Sequence, residues 1–415
     1  MPFSQPPGRK AFTLIELLVV IGILAVLSAV TVVVLNPAEL LAESRDSVRL
    51  SDLKSINDIL FVYTTQKGEP GGNPNYVYLS LPDNNSSCSS HSLPALPAPY
   101  QYSCVREADL RKVDSTGWIP VNLASIPGGS PIPVLPVDPE NSASYYYTYM
   151  AGGSYEITAL LESERYLKSS ALKDKGIDPA RMEMGTNLSL WNLPSGLVAY
   201  WPFDGSGSIA NGQALGLEDQ SPFHNNGTAS NANGSGMAFV EGKVGNALYV
   251  DGVDDGMNFG NDSSVNLTTE LTITAWVKFT NLKWVNSIVE KGKENTNNLY
   301  WIFRGDDATR HQWSFEFGNG VSRTYIAADE AINIGQWYFV AATFNNGAAY
   351  LYRNGVLIAS KPSSGIAYLN TAGYDAWVGR YSPGGHLLDG TVDETRLYNR
   401  ALSANEIESL YKSGK

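Results

Sequence analysis

The longest apolar stretch of the chain runs from Phe12 to Leu35, FTLIELLVVIGILAVLSAVTVVVL. At about 1.5 Å per residue, a helix of that length spans a bilayer. One position breaks the pattern. Glu16 is a carboxylate, and in hydrocarbon without a partner it costs about 2–3 kcal/mol or more. A short basic segment ending Gly8-Arg9-Lys10-Ala11 precedes the run, and Asn36-Pro37 follows it. Proline inside a helix removes a donor and clashes one turn back, which predicts a kink there. Helical spacing then resumes. Leu53, Ile56, Leu60 and Tyr63 share one face, with Arg45, Asp46, Arg49, Asp52 and Lys54 on the others. Gly68-Glu69-Pro70-Gly71-Gly72 ends it, so the pattern predicts one long helix from Phe12 to about Lys67.

Beyond Asn73 the period changes to two. Tyr76–Leu81 and Trp118–Val121 alternate weakly, and Tyr145–Met150 and Tyr155–Leu161 flank Gly152-Gly153 as a predicted hairpin. The tyrosines at 145–147 and 149 read as a sheet face. The composition shifts near Trp191–Ser195. Leu271–Phe279 then alternates cleanly, with Leu, Ile, Ala, Val and Phe on one face. Trp337–Phe344 and Ala348–Arg353 follow as strands, and Asn354-Gly355 marks a tight hairpin into Val356–Ser360. Ser403-Ala404-Asn405-Glu406 is a capping box for a last short helix ending near Lys412. Many strands without intervening helices predict a sandwich.

Composition narrows the function. The 415 residues are 43% hydrophobic and 17% charged, enough to bury more than one core. Thirty-nine glycines and 23 tyrosines favour short strands and turns over helical bundles. A net charge of −12 argues against nucleic acid as the main partner, since phosphate binding needs clustered Lys and Arg. The two cysteines, Cys88 and Cys104, suit a disulfide in an extracellular setting, worth about 3 kcal/mol for a loop of that size. A zinc or thiol site lacks partners at ligand spacing, because His91 stands alone, and the four histidines form no metal triad.

The junction Ala11-Phe12-Thr13-Leu14-Ile15-Glu16-Leu17-Leu18 resembles the prepilin cleavage motif of type IV pilins and type II secretion pseudopilins. The resemblance implies that a prepilin peptidase removes the leader. Phe12 then becomes the first mature residue, with a free and usually methylated amine. Glu16, at the fifth mature position, pairs with a neighbouring subunit's N-terminus during assembly. The family prefers glycine before the cut, where this chain has Ala11. A buried glutamate among apolar helices needs a cation, and a neighbour's freed amine is one. The plainer alternative is a membrane anchor with Glu16 at the interface. SRDSVRLSDLKSINDIL and GWIPVNLASIPGGSPIPVLPVDPENSASYYYTY also resemble pseudopilin segments. They imply a long helix wrapped by a small antiparallel sheet.

Val198–Asp204, Gly245–Asp251, Leu271–Phe279, Trp337–Phe344, Tyr352–Ile358 and Gly390–Ser403 resemble the laminin G-like, concanavalin A-like jelly-roll family. Members are usually binding modules for glycans or extracellular proteins, and some hold calcium. Calcium wants six to eight oxygens, and Asp204, Asp219 and Asp393 are the candidate ligands, with turn capping as the alternative. Asp251, Asp254 and Asp255 read as a solvated acidic loop. Trp284, Trp301, Trp313, Trp377 and Tyr381 are candidates to stack on sugar rings. The paired-carboxylate strand signature of related glucanases is absent and Glu316 stands alone on its strand, so no catalytic residues are assigned.

The expectation is an α+β pilin-like N-terminal part followed by an all-β jelly-roll sandwich. Residues 1–11 are the leader and 12–67 the long helix, of which 12–35 serve membrane and filament core. Residues 68–194 form the pilin-like globular domain, and 195–415 the laminin G-like domain. The expected function is a non-enzymatic minor or tip pilin subunit displaying an adhesive domain. Its expected partners are other pilin subunits, prepilin peptidase, the membrane before assembly, and an extracellular glycan or surface protein, with no nucleic acid. Before assembly it crosses the cytoplasmic membrane once, and afterwards it sits in a surface pilus or pseudopilus. The alternatives are a pseudopilin of a secretion or DNA-uptake system with a structural β domain, and a membrane-tethered glycanase.

Overall fold

Helix α1 spans Pro37–Lys67. Asn36 before it is left-handed (φ 37°, ψ 74°) and Pro37 occupies the first turn, where its missing N–H costs nothing. Asn36-Pro37 therefore opens a helix, where the sequence predicts a kink within one. The computed structural model describes residues 14–15, 17–24, 36–94, 96–97, 99–174, 176, 178–191, 195–231, 234, 236–292, 301–306, 312–370, 373–381 and 385–414. Ala11, Phe12, Glu16 and most of the predicted span lie outside these. The described residues from Leu14 to Leu24 are helical, and their large apolar side chains stand 47–82% exposed, a surface that calls for lipid or partner helices. Among the described residues no helix is long and apolar enough to cross a membrane.

Five strands flank α1: β1 (Tyr76–Pro82), β2 (Gln101–Val105), β3 (Tyr147–Ala151), β4 (Tyr155–Leu160) and β5 (Arg181–Gly185), in the order β2-β1-β3-β4-β5. The sheet is antiparallel except for β1 and β2, which run parallel, contrary to the all-antiparallel expectation. The stretch from Trp118 to Val121 is buried irregular chain instead of the predicted strand. Pro120 offers no ladder donor, and the Trp118 indole donates to the Pro136 carbonyl at 2.9 Å. Leu53, Ile56, Ile59 and Leu60 of α1 pack on Trp118, Tyr147, Tyr149 and Ile157. The sheet tyrosines reach the helix with their hydroxyls, Tyr147 to Asp52 and Tyr155 to Asn57, both at 2.9 Å. Higher on α1, wholly buried Arg49 donates to Asp46, Asp138 and Glu162. Asp46 in turn accepts from the Glu162 and Ser163 backbone. The Cys88–Cys104 bridge, with Cα atoms 5.3 Å apart, ties β2 to the loop after β1.

The remaining strands form a two-sheet antiparallel sandwich. The larger sheet holds β6 (Leu197–Trp201), β7 (Gly207–Ser208), β9 (Ala238–Glu241), β10 (Asn246–Asp251), β12 (Glu270–Asn281), β17 (Trp337–Asn345), β18 (Ala348–Arg353), β19 (Val356–Lys361) and β21 (Asp389–Tyr398). Its order is β19-β18-β17-β12-β21-β10-β9-β7, with β6 also on β21. The facing sheet runs β16-β15-β14-β13-β20-β11-β8. These are β8 (Thr228–Ser230), β11 (Gly256–Gly260), β13 (Ser287–Lys291), β14 (Trp301–Gly305), β15 (Trp313–Gly318), β16 (Arg323–Ala328) and β20 (Ala376–Val378). Alternate residues of β12, such as Leu271, Ile273 and Val277, meet Phe303, Phe315 and Phe317 in one core. Asn354 and Gly355 both take positive φ, as a two-residue hairpin between β18 and β19 requires.

The two parts share a core. Two further helices meet at the junction, α2 (Glu164–Ser169) and α3 (Ala404–Ser413), the latter opened by the capping box at Ser403 and Glu406. Leu160 and Ala180 pack with Leu197, Trp276, Phe339 and Ile407. Ser409 donates to the Leu161 carbonyl at 3.2 Å and Lys412 to that of Glu162 at 3.0 Å. Arg400 grips Glu406 with two hydrogen bonds and donates to the Ser195 carbonyl. Burial opposes the Glu406 charge, yet the Arg400 charge and hydrogen bonds bring its carboxyl down to about 2.

Beside this seam, Glu156 and Glu183 face each other from β4 and β5 in the interior. Burial raises both, Glu156 to about 7 and Glu183 further, with the Glu156 charge adding to the effect on Glu183. Burial also raises Asp174 to about 6. Between pH 5 and 8 the unfolded chain has released protons that the folded chain still holds, so stability falls as pH rises. Thermal unfolding is expected at a higher temperature at pH 5 than at pH 8, and Glu183→Gln is expected to flatten that difference. Calorimetry across this range checks it, and a midpoint that rises with pH would contradict it.

Candidate ligand-binding rim

Three connections cross between the larger sheet and the smaller at one end of the sandwich. Residues 252–255 join β10 to β11, 282–286 join β12 to β13, and 379–388 join β20 to β21. Register places them side by side, since Asp251 and Asn281 both pair with Asp389. Lys283 donates to the Gly252 carbonyl. Arg380 donates to the Asp254 carbonyl at 2.7 Å and to Ser230 at 2.8 Å, and lies 5.0 Å over the Trp377 ring. Ser287 donates its N–H to the His386 carbonyl at 2.9 Å, and the His386 ring stacks 5.0 Å from Tyr381. At the tips Val253 and Trp284 stand 62% and 63% exposed. The rim thus combines exposed apolar surface, a stacked aromatic pair, and two cations that donate to main-chain and hydroxyl oxygens.

The five aromatic candidates divide here. Trp284, Trp377 and Tyr381 belong to the rim. Trp301 and Trp313 are completely buried in the sandwich core, and Trp313 packs edge-on against Phe279 and Tyr338. The strand Trp313-Ser314-Phe315-Glu316-Phe317 carried that signal, since its aromatic positions all fall on one face.

The calcium candidates also change. Asp219 is buried, and its carboxylate accepts from the N–H groups of Tyr200, Ser221 and Asn225 and from the Ser221 hydroxyl at 2.7–2.8 Å. Asp393 holds the N–H groups of Lys243 and Val244, and burial with the charge of Glu394 pushes its carboxyl up to about 8. Asp204 holds the N–H of Asn246 at 2.8 Å, close against Gly245, whose φ of 61° suits glycine. Asp393 and Asp204 therefore pin the β9–β10 turn, and Asp219 pins the 219–225 turn, between β7 and β8, against β6. The three do not converge on one point as a metal set would.

Asp251, Asp254 and Asp255 do converge, with one carboxylate oxygen from each within 4.8 Å of the others. The solvated-loop expectation fails at Asp255, which is wholly buried just before β11. Burial and the charges of Asp251 and Asp254 push its carboxyl up to about 7. The string Asp-Gly-Val-Asp-Asp looks like any polar turn, and only the crossing between sheets puts its last residue inside. Elsewhere, a cleft of about 560 Å³ opens between the two parts, lined by Tyr100, Met150 and Leu190 on one side and Gln220, Pro222 and His224 on the other.

Residues 7–32 match the prokaryotic N-terminal methylation motif, and residues 249–408 match the concanavalin A-like lectin/glucanases superfamily. The chain thus carries a pilin-type N-terminal motif together with a lectin-like β domain that includes the whole rim. No curated protein matches the chain. Among solved structures it is similar to domain 4 of AbnA, a GH43 extracellular arabinanase from Geobacillus stearothermophilus, in complex with arabinotriose. That likeness is 21% identical, covers 52% of this chain and 97% of that one, and has a TM-score of 0.41. The binding domain of Paraclostridial Mosquitocidal Protein 1 is 16% identical, with 52% of each chain covered and a TM-score of 0.41. The binding domain of botulinum neurotoxin serotype G is 17% identical over 52% of this chain and 50% of that one, with a TM-score of 0.39.

The division of the tryptophans has a direct consequence for stability. Trp313→Ala is expected to cost about 3–5 kcal/mol, and Trp284→Ala less than about 0.5 kcal/mol. Urea denaturation of the two variants checks this, and equal losses would contradict it.

Proposed function

We propose that this protein is a minor subunit of a type IV pilus or pseudopilus that displays an adhesive lectin-like domain. The observation that carries the proposal is the union, in one chain, of the methylation motif at residues 7–32 with the concanavalin A-like region at 249–408. In this reading a prepilin peptidase cuts between Ala11 and Phe12. The subunit waits in the membrane, and its apolar segment then enters a filament core. Glu16 pairs there with the freed amine of a neighbouring subunit. The exposed apolar residues of α1, among them Leu40, Leu41, Val48 and Phe61, supply further surface for neighbouring subunits. The sandwich adds bulk that a dense shaft would not easily repeat, which favours a minor or tip position.

The rim is the surface offered to an extracellular glycan or surface protein. Trp284 gives a flat apolar face, and Tyr381 with His386 gives a second stacking element. No step requires catalysis by this chain. The net charge of −12 disfavours a role in gripping DNA.

Two experiments test the two halves. Glu16→Ala is expected to leave membrane insertion intact and to lower the amount of this subunit in sheared filaments; unchanged incorporation would remove the pairing role. The full-length protein in detergent, screened against glycan and surface-protein arrays, is expected to bind a restricted set of ligands, with Trp284→Ala weakening binding at least tenfold. Absence of binding across both arrays would overturn the adhesive reading.

A further inference from the structure

Lys291 ends β13 and has no exposed surface. Its amine donates to the side-chain carbonyl oxygen of Asn261 and to the main-chain carbonyl of Tyr374, both at 2.5 Å. Register explains the meeting. Lys291 and Gly260 both pair with Ala376, so the ends of β13, β20 and β11 lie side by side. This end of the sandwich is opposite the rim, because β11 and β13 both run away from the connections that form it. Trp301 flanks Lys291 on the neighbouring strand β14. An ammonium is costly to hold out of water. Burial brings the Lys291 amine down to about 8, against the opposing charge of Asp375. A sizeable share of it is then neutral near pH 7–8, and the neutral amine is the nucleophilic form. The Asn261 amide nitrogen lies toward Gly373, 3.9 Å from where a Cβ would stand there, and both residues are exposed.

We propose that Lys291 and Asn261 join in an intramolecular side-chain amide that ties β13 to the segment after β11. Lys291 Nζ attacks Asn261 Cγ and a C–N bond forms. The Cγ–Nδ2 bond breaks, and Nδ2 takes the proton released by Nζ and leaves as ammonia. No oxidant, reductant or further reactant enters. The contact between Nζ and Oδ1 holds the amine beside the carbonyl, and two groups fixed in this way react as if at very high concentration. The Asp375 carboxylate, held by Asn258 Nδ2 at 2.9 Å, gives the proton in transit a nearby negative charge. Ammonia departs from an exposed residue, so water carries it away. The product is a neutral amide, and the cost of burying an ammonium disappears with it. The bond closes a loop that contains β12, which crosses between the sheets, and so restricts the unfolded chain as a disulfide does. Unlike the Cys88–Cys104 bridge, it withstands reductant. The inference is independent of what the rim binds and of how the N-terminal segment is processed.

Peptide mapping of the full-length protein, denatured, reduced and digested with trypsin, reads the bond directly. An acylated lysine is not cut, so the expected product is a branched species in which residues 244–278 are joined to residues 284–293. Its mass is that of the two peptides less one ammonia, about 17 Da. Asn261→Ala is expected to remove this species and to restore cleavage after Lys291. The map of the unaltered protein decides by itself, so the test stands even where that variant fails to fold. Complete cleavage after Lys291, with residues 284–291 recovered as a free peptide, would overturn the bond and leave a hydrogen bond only. A branch from Lys291 to any residue other than Asn261 would overturn the assignment. No glycan or filament enters the experiment, so its failure and the failure of the adhesive reading are separate results.

Discussion

The architecture depends on a buried seam between the helix-bearing part and the sandwich. Arg400 and Glu406 are both buried there, paired by two hydrogen bonds, with Arg400 also holding the Ser195 carbonyl. A buried pair of this kind adds little net stability but is costly to break, because either partner alone would be an uncompensated charge. Around it Leu160 and Ala180 share apolar surface with Trp276, Phe339 and Ile407. The sandwich is thus docked on the sheet beside α1. Arg49 plays the matching part on the helix side, where Asp46, Asp138 and Glu162 lock α1 against the strands. Together these contacts tie the sandwich to α1 and its sheet.

Much of this was legible in the sequence. The alternation of Leu271–Phe279 marks β12, Asn354-Gly355 marks the β18–β19 turn, and Ser403 with Glu406 marks the start of α3, because each signal is local. What was not legible depends on contacts distant in sequence. The parallel β1–β2 pair brings Tyr76 beside Gln101, a pairing no periodicity encodes. Trp118–Val121 alternates like a strand, but Pro120 and the Trp118–Pro136 hydrogen bond hold it as irregular chain. The carboxylates were the hardest to read. Asp219 and Asp393 look like metal ligands and serve as turn clamps, whereas Asp255 looks like an exposed turn residue and is buried just before a strand. An aspartate's role follows from which N–H groups surround it, and only the fold decides that.

The rim gathers features that the rest of the sandwich lacks room for. Connections between sheets leave the ladder, so their side chains escape the strict alternation that buries Trp301 and Trp313. Trp284 stays exposed there, and Asp251 at the end of β10 meets Asp254 and Asp255 of the connection that follows it. Apolar surface supplies contact area, and hydrogen-bonding groups close by give orientation, a combination common to ligand-binding surfaces.

The central claim is that the N-terminal segment is processed and built into a filament which carries the sandwich outward. Mass spectrometry of the chain recovered from sheared surface filaments tests it most directly. The account predicts a mature N-terminus at Phe12 bearing a methylated amine, in the same fraction as an intact C-terminal domain. A chain found only in the membrane fraction, still beginning at Met1, would contradict it.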